Sequence, residues 1–198
     1  MAWSWRLKVS AEDTTKWNNK YNKNPSLASS TDADIELIKY KNLLPNKGLA
    51  LDLACGKGKN SLYLASLGFN VTALDGSDKA LQLLNTAAKA EGLTQKIQTL
   101  QTDLDEAGLE KTQYDLIIVV RYLNQHLFAD IQAALKSGGV LLYKTFNKNI
   151  LANRPSFNQS YTIETTELIE KFSNMDILLS NQLDTASEYA LVVFKKQG

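Results

Sequence analysis

Apolar residues in this chain fall into two kinds of run. Phe69 to Leu74, with Asn70 and Thr72 inside it, predicts a strand that stops at Asp75, and two short apolar stretches, Leu49–Ala50–Leu51 and Tyr114 to Val120, are more nearly continuous. They predict strands buried on both faces, as in a parallel sheet. Between them apolar residues recur three or four apart and predict helices. One covers roughly Asn60 to Leu67 and closes at Gly68. The next is capped by Ser77, carries Ala80, Leu81, Leu84, Ala87 and Ala88 on one face, and closes at Gly92. A third strand is predicted over Lys96 to Thr102, with Ile97 and Leu100 as its apolar residues. A helix over Asn124 to Lys136 presents Leu127, Ile131 and Leu135 and ends at Gly138-Gly139. The strand Val140 to Tyr143 follows and leads out through Lys144, Thr145 and Phe146. Asn147 to Tyr161, with Arg154-Pro155, reads as a polar loop. A helix over Thr165 to Phe172 precedes two strands, Met175 to Leu179 and Tyr189 to Phe194, paired as a terminal hairpin. Upstream, Thr31 and Asp34 give a Ser/Thr-x-x-acid helix start, with Ile35, Leu37 and Ile38 as an apolar stripe and Pro45 as its end. Met1 to Ser10 has no clear pattern beyond alternation of Trp3, Trp5, Leu7 and Val9. Strands alternating with helices predict an α/β sheet.

The stretch that organises the rest is Leu49 to Gly58, LALDLACGKG, with its continuation to Asp75. It reads as strand, glycine turn, helix, strand, acid. In a parallel sheet ligands sit outside the carboxyl ends of the strands, where the strand order reverses. The turn at Gly56-Lys57-Gly58 and the carboxylate of Asp75 both fall at such ends. Glycine lets a ligand approach the backbone. An ionised carboxylate has two oxygens to accept the hydroxyls of a ribose. A dinucleotide fingerprint asks for Gly-x-Gly-x-x-Gly. Here the run is Gly56-Lys57-Gly58-Lys59-Asn60-Ser61, so the third glycine is missing.

At 198 residues and 44% hydrophobic, the chain can bury one sizeable core. A net charge of +1 argues against a large nucleic-acid footprint, which needs a clearly basic face. The one cysteine, Cys55, forms no intramolecular disulfide and fits a reducing compartment. Inside the strand-to-helix turn it reads as a small buried hydrophobe rather than a nucleophile. No secretory signal is apparent at the start, and no apolar run approaches the roughly 20 residues that cross a bilayer. The expectation is a cytoplasmic protein that uses neither nucleic acid nor membrane. No cluster has metal-ligand spacing, so no metal is expected.

Asp52, Ala54, Cys55, Gly56 and Gly58 match the apolar-Asp-apolar-small-Cys/Gly-Gly-x-Gly pattern of motif I in the class I S-adenosylmethionine-dependent methyltransferases. Asn60 stands at that motif's optional last glycine, and Asp75-Gly76-Ser77 matches its acidic motif II. The run Gly58 to Ala65 is similar to the tellurite-resistance-type small-molecule methyltransferases, and the resemblance extends over approximately Trp17 to Lys196. It implies a Rossmann-like, seven-stranded, mostly parallel sheet with helices on both faces and an antiparallel last strand. It implies S-adenosyl-L-methionine as cofactor, held by Asp52, Ala54, Gly56, Gly58, Asn60, Asp75, Gly76 and Ser77. By the same resemblance, Asp103 hydrogen-bonds the adenine amine and Leu104 lies against the ring; by itself Asp103 would read as a helix cap. Asp105 and Glu106 read as solvated. Val120 and Arg121, at the end of the fourth strand, face the same crevice. Residues 1–30 become an N-terminal segment whose Tyr21, with Trp17, closes over the cofactor. Their i,i+4 spacing alone is equally met by packing onto the domain formed by residues 31–198.

The activity implied is transfer of a methyl group to a small-molecule acceptor by in-line displacement, catalysed by alignment and exclusion of water. Substrate-side candidates are Arg121, Tyr122, His126 and Arg154. Arg121 either draws in an anionic substrate, pairs with the cofactor carboxylate, or serves as a structural ion pair. His126, the sole histidine, serves as a base or as a surface residue. Two other functions share these motifs: a non-catalytic cofactor-binding module, and a nicotinamide-dependent oxidoreductase. The missing third glycine and the lack of a Tyr-x-x-x-Lys pair disfavour the latter. The sequence leaves the acceptor and the oligomeric state open.

Overall fold

Seven apolar segments pair into one sheet. The computed structural model of the chain describes residues 11–104, 109, 113–184 and 186–198. The readings on Met1 to Ser10, Asp105 and Glu106 therefore lie outside the described residues. The strands are β1 (Leu49–Leu53), β2 (Asn70–Asp75), β3 (Ile97–Gln101), β4 (Tyr114–Val120), β5 (Leu135–Phe146), β6 (Met175–Ser180) and β7 (Tyr189–Lys196), in the spatial order β3-β2-β1-β4-β5-β7-β6. β1 to β5 are mutually parallel, and β7 runs antiparallel between β5 and β6. The order reverses between β1 and β4, which sets the switch point there.

Alternation along each strand sends successive side chains to opposite faces. Ala50, Leu116, Ile118, Val140 and Leu142 join one apolar layer, and Leu51, Ile117, Val119, Leu141 and Tyr143 the other. The first layer is covered by α2 (Ile35–Lys39), α3 (Lys59–Ser66) and α4 (Asp78–Ala90), through Leu37, Leu62, Leu64, Leu81 and Leu84. The second is covered by α5 (Phe128–Ala134) and α7 (Thr165–Lys171), with Phe128, Ile131, Leu168 and Phe172. The Rossmann-like architecture with helices on both faces is therefore present. Among the described residues no helix is long and apolar enough to cross a membrane.

Four local expectations are corrected. The helix read over Asn124 to Lys136 is a 3₁₀ turn, Gln125–Leu127, followed by α5, which stops at Ala134. β5 already begins at Leu135, and Gly138-Gly139 lies within it. Leu135 pairs with Tyr114 and Val140 with Leu116, so the intervening residues bulge out of register. Gly138 takes φ 74° to allow it. Near the N-terminus the cap is Ser29, not Thr31. Ser29 and Asp32 cap a 3₁₀ turn reciprocally, and Asp34 separately caps the five-residue α2. That helix buries Leu37 and leaves Ile35 71% exposed, so no stripe forms. The loop read over Asn147 to Tyr161 contains α6 (Ile150–Asn153) and a 3₁₀ turn, Gln159–Tyr161. Asn147 and Asn158 each accept a backbone N–H two residues on, at 3.0 Å in both cases. Leu100, read as a main apolar residue of the third strand, is 42% exposed because β3 is an edge strand.

Candidate functional site

The turn from β1 into α3 sits at the carboxyl end of the sheet. Three of its residues adopt left-handed φ: Ala54 at 59°, Gly56 at 55° and Gly58 at 76°. Such values suit glycine and strain alanine. Two bonds anchor the turn to β2: Cys55 N–H donates to Leu74 O at 2.9 Å, and Gly56 N–H donates to Asp75 Oδ2 at 2.7 Å. The other carboxylate oxygen of Asp75 accepts Ser77 N–H at 2.8 Å. Asp75 thus ties the glycine turn to the start of α4, and each oxygen keeps lone pairs for a ligand. Burial pushes the Asp75 carboxyl above its ordinary value, and the bonds from Ser77 and Gly56 oppose this.

A helix ahead of the sheet, α1 (Ala11–Lys23), lies over this edge. The Tyr21 hydroxyl stands against the turn; a Cβ added at Gly56 would be 2.8 Å from its oxygen. Burial, then the charge of Asp75, keeps that phenol protonated well above its ordinary range. Trp17 stacks on Tyr21 with ring centroids 6.3 Å apart. Asn18, one turn before Tyr21, clamps the helix in place. Its carbonyl oxygen accepts Ser77 Oγ–H and its amide donates to Asp78 Oδ1, both at 2.5 Å. Sequence reasoning passed over Asn18, although i,i+3 spacing puts it on the face of Tyr21.

The remaining motif residues divide. Asp52 is buried and accepts Ser61 Oγ–H at 2.6 Å, binding β1 to α3. Burial pushes its carboxyl up to about 7, against the Ser61 bond. Asn60 is also buried, and its Oδ1 accepts Asp34 N–H at 2.8 Å. A side chain at the position of motif I's optional last glycine therefore staples α3 to α2. Gly76 accepts Gln101 Nε2–H at 3.1 Å through its carbonyl. Burial lifts the Cys55 thiol well above its ordinary value, which keeps it inert.

Asp103 and Leu104 follow β3 and are both buried at the same carboxyl edge. Leu104 O accepts Asn124 Nδ2–H at 3.2 Å, which joins this segment to the residues after β4. Val120 ends β4, half-buried, and Arg121 follows it with φ 60°. Tyr122 is half-buried, and its carbonyl accepts the Tyr143 hydroxyl at 3.2 Å. His126 is exposed in the 3₁₀ turn after β4, its N–H bonded to Asn124 Oδ1. Arg154 is mostly exposed and pairs with Glu188 at 3.7 Å. The carboxyl edge of the sheet therefore carries Gly56, Gly58, Asp75, Asp103, Leu104, Val120 and Arg121, with Tyr21 against Gly56. Among the described residues His126 is bonded to Asn124 and Arg154 to Glu188, not to that group.

A buried ion cluster beside the crevice was not legible as such. Lys144, 3% exposed near the end of β5, donates to Asp34 Oδ1 at 2.8 Å and to Glu36 Oε2. Burial works against the Asp34 carboxylate, yet its bonds with Glu36 and Lys144 hold it below the ordinary value. Residues 110 apart in sequence meet here, so no local pattern announces them.

The family model described as tellurite resistance protein TehB matches residues 9–183. A probable S-adenosyl-L-methionine-dependent methyltransferase TehB from Haemophilus influenzae strain Rd is 31% identical over 140 residues, covering 67% of this chain and 47% of that protein. A ubiquinone biosynthesis O-methyltransferase from Rickettsia akari is 27% identical over 147 residues, covering 64% of this chain and 57% of that protein. The crystal structure of TehB from Haemophilus influenzae superposes with a TM-score of 0.70 at 21% identity, over 91% of this chain and 67% of that one. The chain spans about half the length of the curated relatives it matches.

Proposed function

The chain belongs to the tellurite resistance protein TehB family, and from that premise we propose that it is an S-adenosyl-L-methionine-dependent methyltransferase acting on a small-molecule acceptor. The observation that carries this reading is the 2.7 Å bond between Gly56 N–H and the Asp75 carboxylate at the switch point. It holds a side-chain-free turn and an acceptor-rich carboxylate side by side, as an adenosine with a charged tail requires.

The residues present fit that cofactor. Asp75 accepts the ribose hydroxyls, Gly76 and Ser77 flank them, and Asp103 takes the adenine amine with Leu104 against the ring. The backbone of the Ala54 to Gly58 turn faces the amino-acid arm, with the Tyr21 hydroxyl filling the space beside Gly56 and Leu84 that beside Gly58, and Val120 borders the arm. Asp52 and Asn60 act behind them, fixing the turn through Ser61 and Asp34. The cofactor, when bound, supplies a methyl group on a positively charged sulfur. The chain's task is to align the acceptor with it and to keep water out, and such positioning is worth roughly 7–11 kcal/mol of barrier. α1 performs the exclusion, with Tyr21 over Gly56 and Asn18 clamped on α4. A protonated Tyr21 phenol donates a hydrogen bond to whatever anionic group lies on the turn. An anionic acceptor needs no base, and no residue of the site is assigned that role. A cytoplasmic setting suits a chain whose sole cysteine is a buried thiol.

Calorimetric titration with S-adenosylhomocysteine and with NAD tests the reading. Binding of the first and not the second is expected, followed by methyl transfer from labelled cofactor to small molecules. Binding of NAD alone overturns the assignment, and methylation of macromolecules alone overturns the acceptor class.

A further inference from the structure

α1 is held onto the domain without a hydrophobic anchor. Among its described side chains none is fully buried and none joins either apolar layer, and Trp17 is 39% exposed. A polar helix of 13 residues is marginal on its own in water. Its position therefore rests on a few polar ties, and these land at the ends of three strands. After β2, Asn18 bonds Ser77 Oγ and Asp78 Oδ1, and its Oδ1 also accepts Lys79 N–H at 3.4 Å. After β1, Tyr21 stands against Gly56, and Lys57 Nζ donates to Ser26 O at 2.8 Å and Ser26 Oγ at 3.0 Å. Lys16 Nζ lies 5.9 Å from the centre of the Tyr161 ring, and the next residue, Thr162, bridges to Phe146 at the end of β5. In the spatial order β2-β1-β4-β5 these points lie on both sides of the switch point. α1 is a strap across it.

Two of the ties converge on Asp75. Its Oδ1 accepts the N–H of Ser77, whose hydroxyl holds Asn18, and its Oδ2 accepts the N–H of Gly56, on which Tyr21 rests. Asn18 and Tyr21 are three residues apart and share one face of α1. The carboxylate assigned to the ribose thus lies between the two footings of the strap. A ligand bonded to it fixes the backbone on which both footings stand. An element with few buried apolar contacts opens most readily, and coupling between its docking and a ligand is reciprocal.

We propose that α1 closes on bound cofactor and that Asn18 is its latch: occupancy of Asp75 and docking of α1 stabilise each other, and release of Asn18 from Ser77 and Asp78 sets the rate at which the cofactor leaves. This deepens the methyltransferase reading and rests on it. The test uses the full chain with S-adenosylhomocysteine, followed by amide hydrogen exchange and by surface plasmon resonance. The ligand should raise the protection of residues 16–23 at least about tenfold. Asn18→Ala should remove most of that gain and speed dissociation at least about tenfold, the loss of hydrogen bonds to a charged partner, with a smaller change in the association rate. The ligand-free variant should melt as the parent does. Asn18→Asp sets a carboxylate against Asp78 and should also dissociate fast. Adding Asp78→Asn returns a donor to the pair and should bring the rate back to within about threefold of the parent. The strap is overturned if bound ligand leaves α1 unprotected or if Asn18→Ala dissociates at the parent's rate. The latch is overturned if the reversed pair dissociates as fast as Asn18→Asp. Failure of S-adenosylhomocysteine to bind the parent overturns the methyltransferase reading and the strap with it, whereas binding without protection overturns the strap alone.

Discussion

The Tyr21 hydroxyl occupies the space where Gly56 would carry a side chain, 2.8 Å from that Cβ position. The contact joins α1 to the turn that the rest of the site is built on. Gly56→Ala must both hold φ near 55° and displace the phenol. A destabilisation of about 1–2 kcal/mol is expected from the backbone alone. In a double-mutant cycle with Tyr21→Ala, urea denaturation should show coupling of at least about 0.5 kcal/mol, as for residues in contact.

Gly58→Ala should be more damaging. Its Cβ would stand 2.2 Å from Leu84 Cδ1, a fully buried side chain of α4, and its φ of 76° is equally unfavourable. Overpacking and backbone strain together predict a loss of about 2–5 kcal/mol. Adding Leu84→Ala should recover part of it in chemical denaturation, because the clash goes and the strain stays.

Asp52 gives the fold a pH dependence of unusual sign. Its carboxyl is pushed up to about 7 in the folded chain, from an ordinary value of 3.8. Between these values the folded state holds a proton that the unfolded state has released. Stability from this group is therefore full below about pH 4 and declines as pH rises to about 7, a total of about 4 kcal/mol. Asp52→Asn keeps an acceptor for Ser61 Oγ–H and removes the titration. The variant should gain on the wild type as pH rises from 4 to 8, which thermal melts across that range will show.

Lys144→Met should cost about 3–5 kcal/mol, because it leaves the Asp34 carboxylate buried and unpaired. Adding Asp34→Asn and Glu36→Gln should return much of that loss. Asn still caps α2, and no uncompensated charge remains. Equilibrium unfolding of the single and triple variants decides the point.

Asp75→Ala should weaken S-adenosylhomocysteine by about 1.5–3 kcal/mol in calorimetry, the range for hydrogen bonds to a charged acceptor. It should also lower the melting temperature. The same carboxylate supports Gly56 N–H and Ser77 N–H, and both would lose a partner.

Much of the sheet was legible because its signals are local. A continuous run such as Tyr114 to Val120 has one stable location, between two apolar layers, and a glycine turn beside an acid fixes where the crevice opens. Segments in which local preference is shallow were misread. Lys136 to Gly139 has helical spacing behind it, yet sheet pairing between Leu135 and Tyr114 claims the chain first. The asparagines of 147–161 build turns that hydrophobic periodicity does not register.

By itself the sequence determined the fold class, the glycine turn and the carboxylate beside it, since burial periodicity and glycine conformations are properties of neighbouring residues. Tertiary structure alone decided which polar groups meet: Asn60 with Asp34, Asn18 with Ser77, and Lys144 with Asp34 and Glu36. Such meetings depend on the distance between elements after packing, and a desolvated charge is governed by what surrounds it in space rather than along the chain.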